Sequence, residues 1–238
     1  MQRVWWIGAL LVACGGANTQ TDHGSGHPGA HPHGEHRHEH HGQGHNHDFS
    51  DVERFAAIFD NPERDAWQRP SDVAALLELT EGVTVADIGA GTGYFAPYLS
   101  RGVGESGQVL ALDVEEAMVA HMRARFAEAN LGNVEARQVA PDAPGLEASS
   151  VDRILIVDTW HHISERAAYA ARLASALRPG GFVLVIDFTL ESPHGPPAAM
   201  RLAAQAVAAE LEAGGLTAVI VEDEALPYQY AVRASAAE

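Results

Sequence analysis

The chain has 238 residues, of which 46% are apolar, and its 32 acidic against 15 basic residues give a formal net charge of -17. This is enough for one good-sized core plus appendages, and such an acidic surface with no basic patch argues against nucleic acid as a partner. A single cysteine, Cys14, excludes an intramolecular disulfide, and every basic residue is arginine.

The opening "MQRVWWIGALLVACGG" places Arg3 ahead of an apolar run from Val4 to Val12 and the small Ala13 directly before Cys14. That run is too short to span a bilayer and has the layout of an export signal. "LVAC", Leu11 to Cys14, resembles the bacterial lipobox. The resemblance implies cleavage before Cys14, lipidation of its thiol and attachment to a membrane of the cell envelope. The alternative is an N-terminal helix with a buried thiol. Residues 1–14 are thus expected to be a lipoprotein signal peptide and residues 15–48 a linker. Ten of the fourteen histidines fall between His23 and His47, interleaved with Gly, Pro, Glu and Asp. With almost no apolar side chains to offset the entropy of ordering, this stretch is expected to be disordered. Neutral imidazoles on a flexible chain suit adventitious Zn, Ni or Cu ions, although no spacing of the structural-zinc type defines a site. A plain solvated tether is the other reading.

From residue 49 to 238 the composition is globular. "DVERFAAIFDNPERDAWQRPSDVAALLELT" reads as short helices, with Pro70 and Ser71 where a new one begins. Strands are predicted in "VTVADIG", "QVLALDV", "NVEARQV", "VDRILIVD" and "GFVLVIDF", and helices over about Phe95 to Arg101, Glu115 to Asn130, Ser164 to Leu177 and Pro197 to Ala213. Strand and helix in alternation mean a parallel sheet covered on both faces. "LRPGG", Leu177 to Gly181, is read as a helix stop. The tail, "LTAVIVEDEALPYQYAVRAS", offers two strands with so short a link that they pair antiparallel.

In "VADIGAGTGYF", Asp87 precedes Gly89, Ala90, Gly91 and Gly93. A dinucleotide fingerprint needs a third glycine where Tyr94 stands, which disfavours a nicotinamide oxidoreductase, and a phosphate loop needs a lysine that the chain lacks. An acidic residue followed by G-x-G-x-G resembles the first motif of class I S-adenosylmethionine-dependent methyltransferases. That resemblance implies a Rossmann-like, doubly wound, mostly parallel seven-stranded sheet with an antiparallel C-terminal pair and accessory N-terminal helices. It implies S-adenosylmethionine as cofactor, with Asp87 near its methionine end and Gly89, Ala90, Gly91 and Gly93 letting the main chain come close. Asp113, at the tip of "QVLALD", would take the ribose hydroxyls or cap the next helix, with Glu116 at capping-box spacing. Met118 would pack on adenine or lie in the core, and Asp142 would meet the adenine amino group.

Asp158, His161 and His162, in "VDTWHHI", fall where the family presents residues to the methyl group and its acceptor and are the candidate catalytic residues. The paired histidines invite a base, needed only if the acceptor loses a proton of high pKa, with one of them, either of the two, lining the pocket and the other capping or packing at the next helix. "FDNPERDAWQRP" resembles a segment of a bacterial subgroup of these enzymes that also carries strings like "VDTWHHI" and "LPYQY". In it Arg64, Asp65, Trp67 and Gln68 are candidates for a lid or for a structural cap of the sheet. "LESPHGPPAAM", with His194, is a candidate for acceptor specificity; Tyr228 and Tyr230 complete the pocket wall or belong to the core. The functional expectation is methyl transfer to a small or lipid-like acceptor, with no resident metal. The competing one is an envelope-anchored binding module that retains a degenerate methyltransferase fold and captures metal on its histidine tether.

Overall fold

The computed structural model describes residues 51–221 and 225–236. The expected signal peptide with Cys14 and the histidine-rich stretch expected to be a linker lie outside the described residues. Among those residues, no helix is long and apolar enough to cross a membrane.

Three short helices lead in: α1 (Val52–Phe59), α2 (Arg64–Gln68) and α3 (Pro70–Leu76). Asp51 caps α1 by accepting the Arg54 N–H at 3.1 Å. Arg69, with φ +52°, ends α2 and turns the chain so that Pro70 opens α3 at the first helical position. There follow β1 (Thr84–Ile88), α4 (Ala96–Val103), β2 (Gln108–Asp113), α5 (Glu116–Glu128), β3 (Val134–Gln138), β4 (Val151–Val157), α6 (Arg166–Ala176), β5 (Leu177–Phe188), α7 (Ala204–Ala213), β6 (Leu216–Val221) and β7 (Gln229–Ala236).

The seven strands form one sheet in the order β3-β2-β1-β4-β5-β7-β6. β1 to β5 run parallel, while β7 is antiparallel to both β5 and β6. This is the doubly wound sheet expected from the sequence. The central strands are apolar on both faces because both are covered. On β4, Ile154 and Ile156 join the core under α6 and α7, and Leu155 and Val157 the core on the side of α3 and α4. A smaller cluster of Ala90, Ala111, Val119, Met122 and Phe126 seats α5. Each such fully buried aliphatic side chain contributes about 2 kcal/mol.

Two elements differ from the sequence reading. Strand β5 starts at Leu177, which pairs with Val151; the register then jumps to Phe182 against Arg153, so residues 178–181 bulge from the ladder. Pro179 has no N–H to pair and Gly180 takes φ +79°, so the helix stop doubles as a bulge. The helix expected from Pro197 splits into a 3-10 turn, Ala198–Met200, and α7. Arg201, between them, holds five carbonyls of the preceding loop, those of Thr189, Leu190, Ser192, His194 and Pro196, at 2.6–3.3 Å.

Candidate cofactor and acceptor site

The strand order reverses between β1 and β4, whose connections leave the sheet in opposite directions and open a crevice beyond their C-terminal ends. All four central strands end in, or one residue short of, an aspartate: Asp87 on β1, Asp113 on β2, Asp158 just past β4 and Asp187 on β5. The crevice is therefore acidic, with Arg64 reaching in from α2.

On the β1–β2 side the site is built of main chain. The N–H groups of Gly89 and Ala90 both donate to the Leu112 carbonyl, at 2.8 and 3.0 Å, which folds the turn onto β2. Gly89, Gly91 and Gly93 have φ of +72°, +57° and +78°. Their reasons differ. A Cβ on Gly89 would overlap the Thr159 side chain, and one on Gly93 would lie 2.6 Å from the Phe126 ring of α5. Gly91 has more room, with the Phe59 ring 3.5 Å from where its Cβ would be. Asp113 accepts the Gly91 N–H on Oδ2 at 2.8 Å and the Glu115 N–H on Oδ1 at 3.0 Å. The N-cap of α5 is Glu115, without a side-chain hydrogen bond, while Asp113 divides its two oxygens between the glycine turn and the Glu115 N–H just ahead of the helix.

Asp87 is different. It is 3% exposed, yet no donor among the described residues hydrogen-bonds its carboxylate. Burial, then the charge of Asp113, push its pKa up to about 7, against the pull of Arg64. Burial likewise raises Asp113, opposed by the N–H groups of Glu115 and Gly91.

Ala90 puts its methyl into the small core cluster and leaves only backbone to the crevice. Met118 is 1% exposed on α5, consistent with the core role weighed for it. Asp142 is exposed in the turn closed by Ala140 and Ala143, and the group on which its charge bears is the Tyr169 phenol of α6. The structure does not join it to Asp87 and Asp113.

On the β4–β5 side the site is built of side chains. Asp158 has φ +52°, a strained value for a non-glycine residue of the kind found at functional sites. It closes a ring of polar contacts. Gln229 Nε2 donates to Asp158 Oδ1 at 2.6 Å, Gln68 Nε2 donates to Gln229 Oε1 at 2.7 Å, Arg64 donates twice to Gln68 Oε1 at 2.9 and 3.2 Å, and Arg64 Nη2 lies 3.7 Å from Asp158 Oδ2. Burial raises the Asp158 pKa to about 7 in spite of Arg64. The guanidinium stacks 4.1 Å over the Tyr94 ring, and the Tyr94 hydroxyl donates to Asp65. Burial, reinforced by Asp65, drives that phenol's pKa up.

The segment from Phe59 to Gln68 is thus fastened across the crevice. Asp60 takes part as well, accepting from Thr92 Oγ1 at 2.9 Å and Arg125 Nη1 at 2.7 Å. Trp67 stacks on His194 at 4.8 Å with 9° between the rings, and His194 meets Tyr228 at 5.0 Å. The lid and specificity candidates therefore form one aromatic wall.

The two histidines separate. His161 is turned inward, its side chain 2% exposed, with Nδ1 2.9 Å from Asp187 Oδ2; His162 is exposed, its ring centroid 4.2 Å from that of His161. Sequence reasoning passed over Gln229 and Asp187. Asp187 carried a readable signal, an acid at the end of an apolar strand like Asp87 and Asp113, whereas nothing local marks Gln229. No cluster of three or more potential metal ligands occurs among the described residues.

Comparison with known proteins agrees with this geometry. The family described as "Methyltransferase domain" matches residues 85–181. The ubiquinone/menaquinone biosynthesis C-methyltransferase UbiE of Escherichia fergusonii is 32% identical over 109 residues, 45% of this chain and 43% of that protein. The chain thus spans less than half the length of that curated relative. A crystal structure of an S-adenosylmethionine-dependent methyltransferase from Aquifex aeolicus superposes with a TM-score of 0.72 at 31% identity, covering 79% of this chain and 98% of that one. A putative methyltransferase of Haloferax volcanii, solved with its Trm112 activator, shares the fold at 19% identity, with a TM-score of 0.67 over 80% of this chain and 98% of its own. With a relative at this identity matched over nearly its whole length, and with the glycine turn and acidic crevice in place, the chain belongs to the class I S-adenosylmethionine-dependent methyltransferases.

Proposed function

We propose that the protein transfers the methyl group of S-adenosylmethionine to a small or lipid-like organic acceptor held between the ends of β4 and β5 and the aromatic wall of Trp67, His194 and Tyr228. The observation that carries this reading is Asp87: a carboxylate 3% exposed, with no hydrogen-bond donor of its own among the described residues, beside a turn of bare backbone. An unpaired buried carboxylate is costly, and a cationic ligand relieves it.

The residues present fit the cofactor. Asp87 suits its cationic methionine end, the Gly89–Gly91 main chain admits it closely, and Asp113 offers a carboxylate to the ribose diol. Met118 and Asp142 are the adenine-side candidates, Met118 the better placed of the two because Asp142 stands apart. When bound, the cofactor supplies an electrophilic methyl group. The chain's part is to orient the acceptor and exclude water, which the Phe59–Gln68 strap does from above. The name of the UbiE relative makes a quinol ring the acceptor class to try first. Nothing among the described residues favours the binding-module reading.

Isothermal titration of the full chain with S-adenosylmethionine tests the assignment; the expected result is one site per chain. Asp113→Ala should weaken that affinity by about 2 kcal/mol, the scale for losing charge-assisted hydrogen bonds. Absence of heat from the wild type would overturn the reading. The lipobox adds a proposal on place: Cys14 carries a lipid and tethers the enzyme to the cell envelope. Release of Cys14→Ser from membranes is the expected outcome, and unchanged retention refutes it.

A further inference from the structure

His161 sits on the 3-10 turn Trp160–His162 that follows β4. The turn abuts the cofactor side: Thr159 packs where a Cβ of Gly89 would be, and Asp158 faces Arg64 at 3.7 Å. The imidazole itself is held from the neighbouring strand. Its Nδ1 lies 2.9 and 3.1 Å from the two carboxylate oxygens of Asp187, the side chains being 2% and 1% exposed. Asp187 is in turn oriented by its own chain, Oδ1 accepting the Phe188 N–H at 2.8 Å.

An ionised carboxylate can only accept, so a neutral imidazole in this pairing carries its hydrogen on Nδ1 and presents a lone pair on Nε2. Among the described residues Asp187 is the hydrogen-bonding partner of the ring. The other titratable groups facing the pair are His162 and Asp158 on the same loop and Tyr230 on β7, whose hydroxyl is buried without a hydrogen-bond partner. His162 is exposed on the same turn.

Resting on the methyltransferase reading, we propose that His161 Nε2 takes the proton the acceptor must lose, with Asp187 as its positioning residue. The acceptor class follows: its attacking group carries an exchangeable proton, as in a hydroxyl, a phenol or a ring carbon activated by one, and is not a thioether. As the bond from the acceptor atom to the methyl carbon forms, the sulfur keeps the electron pair of the bond it gives up. The acceptor's proton passes to Nε2, and the positive charge that leaves the sulfonium reappears as imidazolium beside Asp187, then discharges to solvent.

The first test needs neither acceptor nor variant. Nitrogen-15 NMR of histidine-labelled full-length protein saturated with S-adenosylhomocysteine should show His161 with Nδ1 protonated and Nε2 bare at pH about 8, above the histidine range; the opposite tautomer overturns the proposal. In Asp187→Asn the amide can donate to Nδ1, and the proton should move to Nε2. The second test follows tritiated methyl from S-adenosylmethionine into a protein-free cell extract. His161→Gln should lose about a hundredfold or more in transfer with cofactor binding retained by calorimetry. Transfer at the wild-type rate by His161→Gln overturns the proposal. A wild type that does not bind S-adenosylmethionine overturns the methyltransferase reading instead.

Discussion

The two halves of the crevice are made of different materials. On the β1–β2 side, recognition is written into backbone conformation: three glycines at positive φ within five residues, folded onto β2 and braced by Asp113. On the β4–β5 side it is written into side chains from four separate segments, with Gln68 and Gln229 in contact across 161 residues of sequence. The first half tolerates no added carbon where the chain is packed, whatever its polarity. The second depends on donors and acceptors whose places could be taken only by groups of matching chemistry.

The sharpest way to break this contrast is Gly93→Ala, which adds one methyl against the Phe126 ring at φ +78°. Strain and overpacking together should cost about 3 kcal/mol in urea unfolding; a neutral result would mean the backbone side is as pliant as the other. Next in size, Gln68→Leu keeps much of the volume of a residue that is 0% exposed but leaves Gln229 Oε1 without its donor. The expected loss is about 2 kcal/mol of stability, with affinity for S-adenosylmethionine unchanged if the halves are independent. Adding Gln229→Leu should deepen the loss rather than restore stability, because Asp158 then loses the donor that Gln229 supplies.

The smallest effect is on pH. With Asp87 raised to about 7, its protonated form predominates in the free protein below that value, and the form that pairs with a cation predominates above it. Affinity for S-adenosylmethionine should therefore climb by about tenfold between pH 6 and 8 and level off. The sign for stability is opposite. A carboxyl raised on folding binds more protons in the native state, so its contribution is fullest below the ordinary carboxylate range and declines as pH rises toward about 7. Asp87→Asn should flatten both slopes as far as Asp87 causes them, leaving what Asp158 adds.

The contrast also explains what could be read in advance. Every strand of the sheet was visible, because apolar runs broken by glycine and proline need only local pattern, and the antiparallel tail followed from the brevity of its link. Asp87, the glycines and Asp113 were legible for the same reason: their chemistry sits within one strand, one turn and the next strand tip. The ring of Arg64, Gln68, Asp158 and Gln229 was not legible as a ring, since no spacing in the chain announces a contact between α2 and β7. The choice between His161 and His162 was open in the sequence, and the contact that tells the two apart, His161 with Asp187, involves a partner on another strand. Asp113 shows a mixed case, where the local signal emerges as a bond from the Glu115 N–H at the entrance to α5 and the bond to Gly91, 22 residues back, was not legible beside it.

The clasp between Gln68 and Gln229 also sets an order of assembly. A nascent chain presents the glycine turn and both of its acids once residue 113 has emerged, and Thr92, Tyr94 and, once it follows, Arg125 can hold Asp60 and Asp65 of the strap, but Gln68 has no Gln229 to meet until the last strand is delivered, 161 residues later. Premature release upstream of β7 would leave the glycine turn and its two acids under a strap fastened at one end only, poorly able to shield the crevice from water.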